Sequence, residues 1–506
     1  MALCRPRPPL GARRSVCYNQ PHSARSQRPS GQLYPKLEHR SMTNSLTPTR
    51  ALAYTQTRHA AYVEQLFDFL RIPSVSTQPE HIPDIQAAAE WLTHTLRVAG
   101  LENVGIHPTS GHPLVYADWL HAGPQAPTVL FYGHYDVQPA DDVELWQSPP
   151  FAPEIRKENV YARGASDDKG QIFMLIKAVE AYLQTEGRLP VNVKFALEGE
   201  EESGSRGLMA YAPAHKEQLS ADIVFICDTT MADFETPAIV YGLRGMVQLN
   251  VTLHGPKLDL HSGVYGGGIA NPVNVLARLL ARLQDDDGHV LIPGFYDRVR
   301  PLDANERAMI AAFPFDEKEW LRRIDVAQAW GEPEFSLLER VGARPTLDIN
   351  GIVGGYTGDG GKTIIPAKAQ AKLSMRLVPE QDPAEILALA QHYIAQLTPP
   401  QVRLEMVSLG AASASLADYT IPAMQAAIQA CETIFGRKPV FKREGGSLPV
   451  VATLQAELGL HPLMLGFGLP HDRIHAPNER FYLPNFYRGM ETVIHFLANY
   501  GRQSAG

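Results

Sequence analysis

The chain has 506 residues, 44% of them hydrophobic, so it can bury large cores and is long enough for two or three domains. Its formal net charge is −8, but residues 1–50 carry nine basic groups against one acid, Glu38, which leaves 37 basic against 53 acidic residues, a net −16, in the remainder. We do not expect so acidic a chain to bind nucleic acid, because phosphate backbones are bound by clustered positive charge.

Residues 1–50 form a basic tail that we expect to be disordered. Their Arg- and Ser-rich composition is also typical of an organelle transit peptide, or of translated upstream sequence before a start at Met42. No apolar run reaches the roughly 18 residues of a membrane span, and the tail lacks the apolar core of a secretory signal. The four cysteines form no CxxC pair and fit a reducing compartment, so we expect no membrane association and a cytoplasmic location.

From residue 51 to about 240, helices and strands alternate. Apolar spacing predicts helices around 63–70, 83–100 and 172–183, and apolar runs predict strands at 128–132, 191–197 and 223–227. Such alternation is typical of a largely parallel sheet with helices on both faces. Each of the three strands is followed by metal-capable side chains, and open α/β folds place their sites at the carboxyl edge of the sheet.

Residues 241–412 follow a different pattern. Strands near 247–253, 346–353, 371–377 and 402–406, with helices opening at Asn271-Pro272 and Asp382-Pro383, give the order β-α-β-β-α-β of a ferredoxin-like arrangement. The alternation of helices and strands seen in residues 51–240 returns after residue 412, with a helix at 421–435, a strand at 462–467 and a final helix. We therefore predict a discontinuous α/β catalytic domain, 51–240 and 413–506, with an α+β domain, 241–412, inserted into it.

The stretch YARGASDDKG, residues 161–170, places Asp167 and Asp168 just before a helix, where backbone N–H groups keep a carboxylate ionised. Taken alone, either residue has an ordinary explanation as a helix cap. His134 and Asp136 stand two apart in extended chain, so both side chains point the same way, as in a histidine ligand oriented by a carboxylate.

Other candidate ligands also have ordinary explanations when taken alone. Glutamates 200–202 resemble a solvated run, although they follow an apolar strand directly, and the remaining candidates resemble turn or loop residues. Together the side chains offer nitrogen and oxygen ligands without sulfur, which suits one or two ions such as Zn²⁺ or Mn²⁺. The proposed ligands are His134, Asp167, Glu202, Asp228 and His475. With Asp167 as a shared carboxylate, two ions would activate a bridging water whose proton Glu201 takes and passes to a leaving amine. The set predicts amide hydrolysis.

Eight motifs resemble those of the metallopeptidase and amidohydrolase family of aminoacylase and carboxypeptidase G, most closely its branch of cytosolic nonspecific dipeptidase and carnosine dipeptidase. They span the chain after the tail in the family's order: GHYDVQP at 133–139, ARGASDDKG at 162–170, EGEEESGS at 198–205, DLHSGVYGG at 259–267, GGKTIIP at 360–366, MRLVP at 375–379, EGGSLPV at 444–450 and HAPNE at 475–479.

The resemblance implies a role for each of these residues. Two divalent ions per subunit are expected, Zn²⁺ or else Mn²⁺ or Co²⁺, one held by His134, Asp167 and Asp228 and the other by Asp167, Glu202 and His475. Asp136 would orient His134, and Glu201 would be the general acid and base. Residues 241–412 would form a lid and dimerisation domain. The remaining roles fall on His261, which would reach the partner subunit's site to stabilise the oxyanion, and on Thr363, Arg376 and Ser447, which would bind a small peptide substrate.

Three alternative functions remain open on the sequence. An N-acyl amino acid deacylase or an exopeptidase on longer peptides would share the metal core. A non-catalytic metal-binding protein should have lost Glu201 or a ligand, and none is missing. A nucleotide-binding protein is suggested by residues 358–363, but the phosphate-loop spacing requires a glycine at Tyr356 and Gly355 misses by one.

Overall fold

The computed structural model describes residues 48–140 and 142–503. The tail expected to be disordered covers residues 1–50, of which 1–47, including the alternative start at Met42, lie outside the described part. Thr49 and Arg50 belong to a helix, so the expectation is wrong for these two residues. The helices are α1 Thr49–Gln56, α2 His59–Leu70, α3 Ile82–Ala99, α4 Lys169–Glu186, α5 Arg206–Ala214, α6 Lys216–Leu219, α7 Ser262–Tyr265, α8 Pro272–Leu280, α9 Ala304–Ala311, α10 Glu317–Arg323, α11 Leu337–Ala343, α12 Pro383–Leu397, α13 Pro422–Phe435, α14 Pro449–Leu458 and α15 Leu483–Gln503.

The strands are β1 Glu102–His107, β2 Leu114–Trp119, β3 Thr128–His134, β4 Glu154–Arg156, β5 Asn159–Tyr161, β6 Asn192–Glu198, β7 Ile223–Ile226, β8 Ala238–Leu243, β9 Gly245–His254, β10 Leu260–His261, β11 Thr346–Gly354, β12 Ile364–Ile365, β13 Lys368–Leu377, β14 Arg403–Ala412, β15 Ser415–Leu416, β16 Val440–Glu444, β17 His461–Met464 and β18 Arg480–Tyr482. No helix of the described chain is long and apolar enough to cross a membrane.

Within the described residues, the largest sheet has nine strands in the order β1-β2-β6-β3-β7-β17-β8-β15, with β16 paired to β8. Its centre is parallel, since β3 pairs in parallel with β6 and β7, and β7 with β17. Outside that centre, β1, β2, β8 and β15 make antiparallel pairs. The α/β class expected from the sequence is therefore confirmed, with antiparallel strands beside the parallel centre.

Helices cover the central sheet because its strands are apolar on both faces. Strands β2, β6 and β7 are buried at every residue, as a sheet sandwiched between helices requires. Helix α4 is buried from Lys169 to Tyr182 and packs against α1, α3 and α15, so its sequence is apolar beyond a single stripe. Gly100 ends α3 with φ +98°, a left-handed conformation that glycine adopts at no steric cost. Helix α4 itself begins at Lys169, directly after Asp167 and Asp168.

Residues 245–412 contain a second, antiparallel sheet, four-stranded in the described chain and ordered β11-β13-β9-β14. The alternating burial of β9 turns one face toward α8 and α12, where a separate hydrophobic cluster includes Leu249, Leu276 and Ile386. The expected β-α-β-β-α-β order is confirmed in β9, α8, β11, β13, α12 and β14. The exact boundaries at 240/241 and 412/413 stay a prediction.

Candidate metal centre

The predicted metal ligands come from separate loops at one edge of the central sheet. His134 is the last residue of β3, Asp167 lies just before α4, and Glu202 lies in a short 3-10 turn after β6. Asp228 follows β7, and His475 lies in the loop between β17 and β18. Because β3, β6, β7 and β17 are parallel, their carboxyl ends share an edge, and these loops converge there.

The carboxylate of Asp167 lies between two histidines. Its Oδ1 is 3.0 Å from Nε2 of His134, and its Oδ2 is 2.9 Å from Nε2 of His475. Asp228 lies on the first side, 3.9 Å from His134, and Glu202 on the second, 3.2 Å from His475. Two three-residue groups that share Asp167 therefore exist, and within each group the potential ligand atoms all lie within 4.8 Å of one another.

Charge in this cluster favours divalent cations. Burial, and then the charge of Asp167, raises the pKa of Asp228 to about 7. Hydrogen bonds with Asp167 and Glu202 raise the pKa of His475 to about 10. Within the described chain, no arginine or lysine forms an ion pair with Asp167, Glu202 or Asp228. Carboxylates this crowded need positive charge nearby, and the nitrogen and oxygen donors fit a pair of borderline cations.

Asp136 links the cluster to the glutamate turn. It is fully buried, with Oδ1 3.3 Å from Nδ1 of His134, the ring nitrogen that faces away from Asp167. That Nδ1 is also 3.1 Å from the Asp136 carbonyl oxygen. The two Asp136 carboxylate oxygens accept the backbone N–H groups of Glu201 and Glu202, both at 3.1 Å. One side chain thus fixes the histidine ring and the position of the glutamates.

Glu201 belongs to neither group of potential ligands in the described chain. Burial, together with the charges of Asp228 and Glu202, raises the pKa of Glu201 to about 9 against the opposing charge of His134. A carboxyl group beside the cluster, outside both ligand sets, is placed to carry a proton, and cations bound at the cluster would lower its pKa and favour the ionised form that a base needs.

Sequence reasoning missed Glu479, which holds the loop that carries Asp167. Its fully buried carboxylate accepts hydrogen bonds from Arg163 and from the backbone N–H groups of Gly164, Ser166 and Asp167. The motif at 475–479 was recognised, but only its histidine received a role. A glutamate in a loop motif has no apolar periodicity, and only the folded chain shows which backbone it binds.

Arg376 and Ser447 form a separate pair. Nη1 of Arg376 donates to Oγ of Ser447 at 2.9 Å, so two residues 71 apart in sequence meet as expected for one substrate-binding group. Arg244, which the sequence did not single out, lies beside them. It donates from its backbone N–H to the carbonyl of Gly446 and from Nε to that of Gly445, the two residues before Ser447.

Positive charge concentrates around this pair. Burial, and then the charge of Arg376, lowers the pKa of Arg244 to about 10. In the part of the chain that the structure describes, neither Arg244 nor Arg376 forms an ion pair with a carboxylate. The nearby charge of Asp348 offsets part of the lowering of the Arg244 pKa. Two neighbouring guanidinium groups that form no ion pair still favour an anion. The signal in the sequence was weak, because an arginine between strands is most often a surface residue.

His261 and Thr363 lie close to each other. His261 is in β10, which pairs with β12 in a small antiparallel sheet, and Thr363 lies just before β12, where its carbonyl accepts the Ser262 N–H at 3.0 Å. Both side chains are exposed. Within the described residues, no hydrogen bond or ion pair joins either residue to the five potential ligands.

The glycine-rich stretch at 358–363 leads into the strand β12 instead of a helix. A phosphate loop uses the N–H groups at a helix N-terminus, so this context disagrees with the nucleotide-binding alternative.

An α/β sheet that collects two histidines and three carboxylates around a shared aspartate defines a metal-dependent hydrolase. The chain belongs to Peptidase family M20/M25/M40, whose sequence profile matches residues 130–499. The family expected from the eight motifs is therefore confirmed. Metallopeptidases of this family bind divalent metal ions, and the clustered donors of this chain fit such ions.

Similarity extends over most of the chain in individual relatives. The Cys-Gly metallodipeptidase DUG1 of Candida albicans is 32% identical over 461 residues, covering 87% of this chain and 95% of that protein. The mouse Beta-Ala-His dipeptidase is 31% identical over 474 residues, covering 90% and 95%. Among solved structures, the metallo-carboxypeptidase Sso-CP2 of Sulfolobus solfataricus is 31% identical with a TM-score of 0.78, covering 87% of this chain and 99% of that one.

Proposed function

We propose that this protein is a dipeptidase that hydrolyses the amide bond of dipeptides with a free C-terminal carboxylate. The observation that carries the proposal is the split of the Asp167 carboxylate between His134 and His475, each side completed by a further carboxylate. Relatives about 30% identical over most of the chain are named dipeptidases, which supports the same substrate class.

Two divalent ions would be held by the two ligand groups, with Asp167 in common. The geometry supports this assignment of ligands, with His134, Asp167 and Asp228 on one side and Asp167, Glu202 and His475 on the other. We propose Zn²⁺ because imidazole and carboxylate donors suit it, with Mn²⁺ or Co²⁺ as alternatives. When bound, these ions supply Lewis-acid activation of water and of the scissile carbonyl.

Glu201 is the proposed general base and acid. Its carboxylate takes a proton from the attacking water and delivers it to the amine that leaves when the C–N bond breaks, so the proton balance closes within one side chain. Asp136 acts as a positioning residue, because it holds the His134 ring and the backbone of Glu201 and Glu202.

The substrate carboxylate would bind to Arg376 and Ser447. A guanidinium group can donate two parallel hydrogen bonds to a carboxylate, and the Ser447 hydroxyl adds a third donor. Arg244 fixes the two glycines that precede Ser447 and adds positive charge, so we propose it as a positioning residue for this group. A free C-terminal carboxylate is the feature that such a group selects.

We propose that residues 241–412 form a lid and dimerisation domain, and that His261 and Thr363 act in the partner subunit's site. Both are exposed, and within the described residues no hydrogen bond or ion pair joins either of them to the metal ligands of its own chain. Nearby exposed apolar side chains, Val264 and Tyr265, are of the kind that interfaces cover. The experiment is sedimentation of the purified chain, in which a stable monomer would contradict the dimer. The cytoplasmic location stays a prediction, which fractionation tests.

A second candidate function is exopeptidase activity on longer peptides, favoured by the likeness to a metallo-carboxypeptidase. The deciding experiment compares metal-loaded protein on dipeptides, C-terminally amidated dipeptides, tripeptides and N-acyl amino acids. We expect free dipeptides to have the highest kcat/KM. Faster cleavage of tripeptides or N-acyl amino acids would favour the alternatives, and no cleavage of any substrate would favour a non-catalytic metal-binding protein.

A further inference from the structure

A cavity of about 490 Å³ is bordered by segments that continue into the proposed active site. Its wall includes Thr230, two residues after Asp228, and His471, in the loop that leads to His475. It also includes Gly445, two residues before Ser447. Residues close in sequence both to the metal ligands and to the proposed carboxylate-binding pair therefore line one cavity.

One wall comes from the stretch that contains α9 and α10, to which the sequence assigned no structure. Ile310, Phe313, Phe315 and Trp320 line the cavity from this side, with the Phe315 and Trp320 rings 6.3 Å apart. Val341 of α11 lines it as well. Trp320 is 39% exposed, a large apolar surface for a residue that faces a cavity. The wall is thus aromatic and aliphatic.

The charged side chains of the lining already have partners within the protein. Asp316 caps α10, and Asp233 accepts backbone N–H groups of its own turn. The remaining pairs are Glu319 with Arg322 and Arg323, Arg443 with Glu306, and Lys442 with Glu444. A charged ligand would have to compete with these partners, whereas an apolar group needs only the uncovered aromatic surface.

We propose that this cavity is a specificity pocket that takes one large apolar side chain, aromatic or branched aliphatic, of the peptide substrate. The inference rests on the proposed function and extends it to substrate preference. The volume lies within the roughly 300–1,000 Å³ of small-molecule sites. A peptide with its carboxylate at Arg376 and its amide at the metal ligands would place a side chain toward the cavity, because residues two positions from Asp228 and from Ser447 line it.

Two variants test the pocket from opposite directions. Trp320→Ala removes part of the apolar wall, and Val341→Phe narrows the space. The matched control is Trp330→Ala, which deletes a more exposed tryptophan, 62% against 39%, that does not line the cavity. Substrates are Ala-Ala, Phe-Ala, Leu-Ala, Ala-Phe and Ala-Leu, so that both positions of the dipeptide are probed.

We expect wild-type protein to prefer the large apolar side chain at one of the two positions. Trp320→Ala and Val341→Phe should each lower kcat/KM for that substrate about 10-fold relative to Ala-Ala, the effect of losing a few methylenes of pocket contact. Trp330→Ala should leave the ratio unchanged. Equal loss on all substrates, no loss, or the same loss in Trp330→Ala would overturn the pocket.

Binding without turnover separates this inference from the proposed function. Calorimetry on metal-loaded Glu201→Gln protein, with and without Trp320→Ala, compares the Kd of the large dipeptide with that of Ala-Ala. A preference that Trp320→Ala removes supports the pocket even if turnover fails. Cleavage of every dipeptide with no such preference in Kd or kcat/KM retains the function and overturns the pocket.

Discussion

The metal cluster and the small sheet of β10 and β12 differ in how far a single chain sets their geometry. The His134 and Asp167 side chains are 0% and 9% exposed, and the buried carboxylates of Asp136 and Glu479 accept hydrogen bonds that hold their surroundings. His261, on the two-stranded sheet of β10 and β12, and Thr363, just before β12, are both exposed. The first region has its geometry set by one fold, whereas the second is expected to gain its environment from a partner. Variants in the two regions should therefore fail in different ways.

The largest effect is expected at Glu201. Glu201→Gln keeps the shape of the side chain but removes its proton transfer, so kcat should fall about 10²–10⁴-fold. Metal content should not change, because Glu201 lies outside both ligand groups. Steady-state kinetics and elemental analysis measure the two quantities. Loss of metal in this variant would contradict the separation of roles, and Glu217→Gln, an exposed glutamate, is the control.

His261 tests whether the second region acts across subunits. His261→Ala should lower kcat about 10²–10³-fold, the effect of losing an oxyanion donor. When His261→Ala chains are co-expressed with Glu201→Gln chains that carry a second affinity tag, the mixed dimer should regain activity, because it holds one intact site. Purified mixed dimers with no more activity than either parent would place His261 outside the partner's site.

Asp136 tests how far the first region depends on support around the ligands. Asp136→Asn weakens the hold on the His134 ring, so metal affinity or activity should fall about 10–100-fold. Metal titration followed by activity measures this. Asp118→Asn, a buried carboxylate on β2 that bonds Asn103 and Tyr116, is the control. An unchanged metal affinity and activity in Asp136→Asn would contradict the positioning role.

Arg376 is expected to have a smaller effect, mainly on KM. Arg376→Ala removes a charged hydrogen bond to the substrate carboxylate, so KM for dipeptides should rise about 10-fold or more. Arg244→Lys keeps the charge and the backbone bond to Gly446 but loses the Nε bond to Gly445, so a rise of a few fold is expected. Amidated dipeptides should be insensitive to both. Equal losses on free and amidated substrates would contradict carboxylate recognition.

The sequence could predict the residues whose local pattern carries the chemistry. His134 and Asp136 lie at the end of an apolar strand, and Asp167 lies just before a helix, so strand direction alone brings them to one edge. The contacts of Glu479 and Arg244 could not be predicted, because each binds backbone atoms that are distant in sequence. The helices α9–α11 were also missed, since they are short and their apolar residues face a cavity without a regular period.

The central claim is that Asp167 is shared by two metal ions. Elemental analysis of wild-type, Asp228→Asn and Asp167→Asn proteins, each dialysed against the same buffered Zn²⁺, tests it most directly. The account predicts two ions per wild-type chain, one after Asp228→Asn and fewer than one after Asp167→Asn, with circular dichroism unchanged. A wild-type chain that binds a single ion, or an Asp167→Asn chain that keeps two, would contradict it.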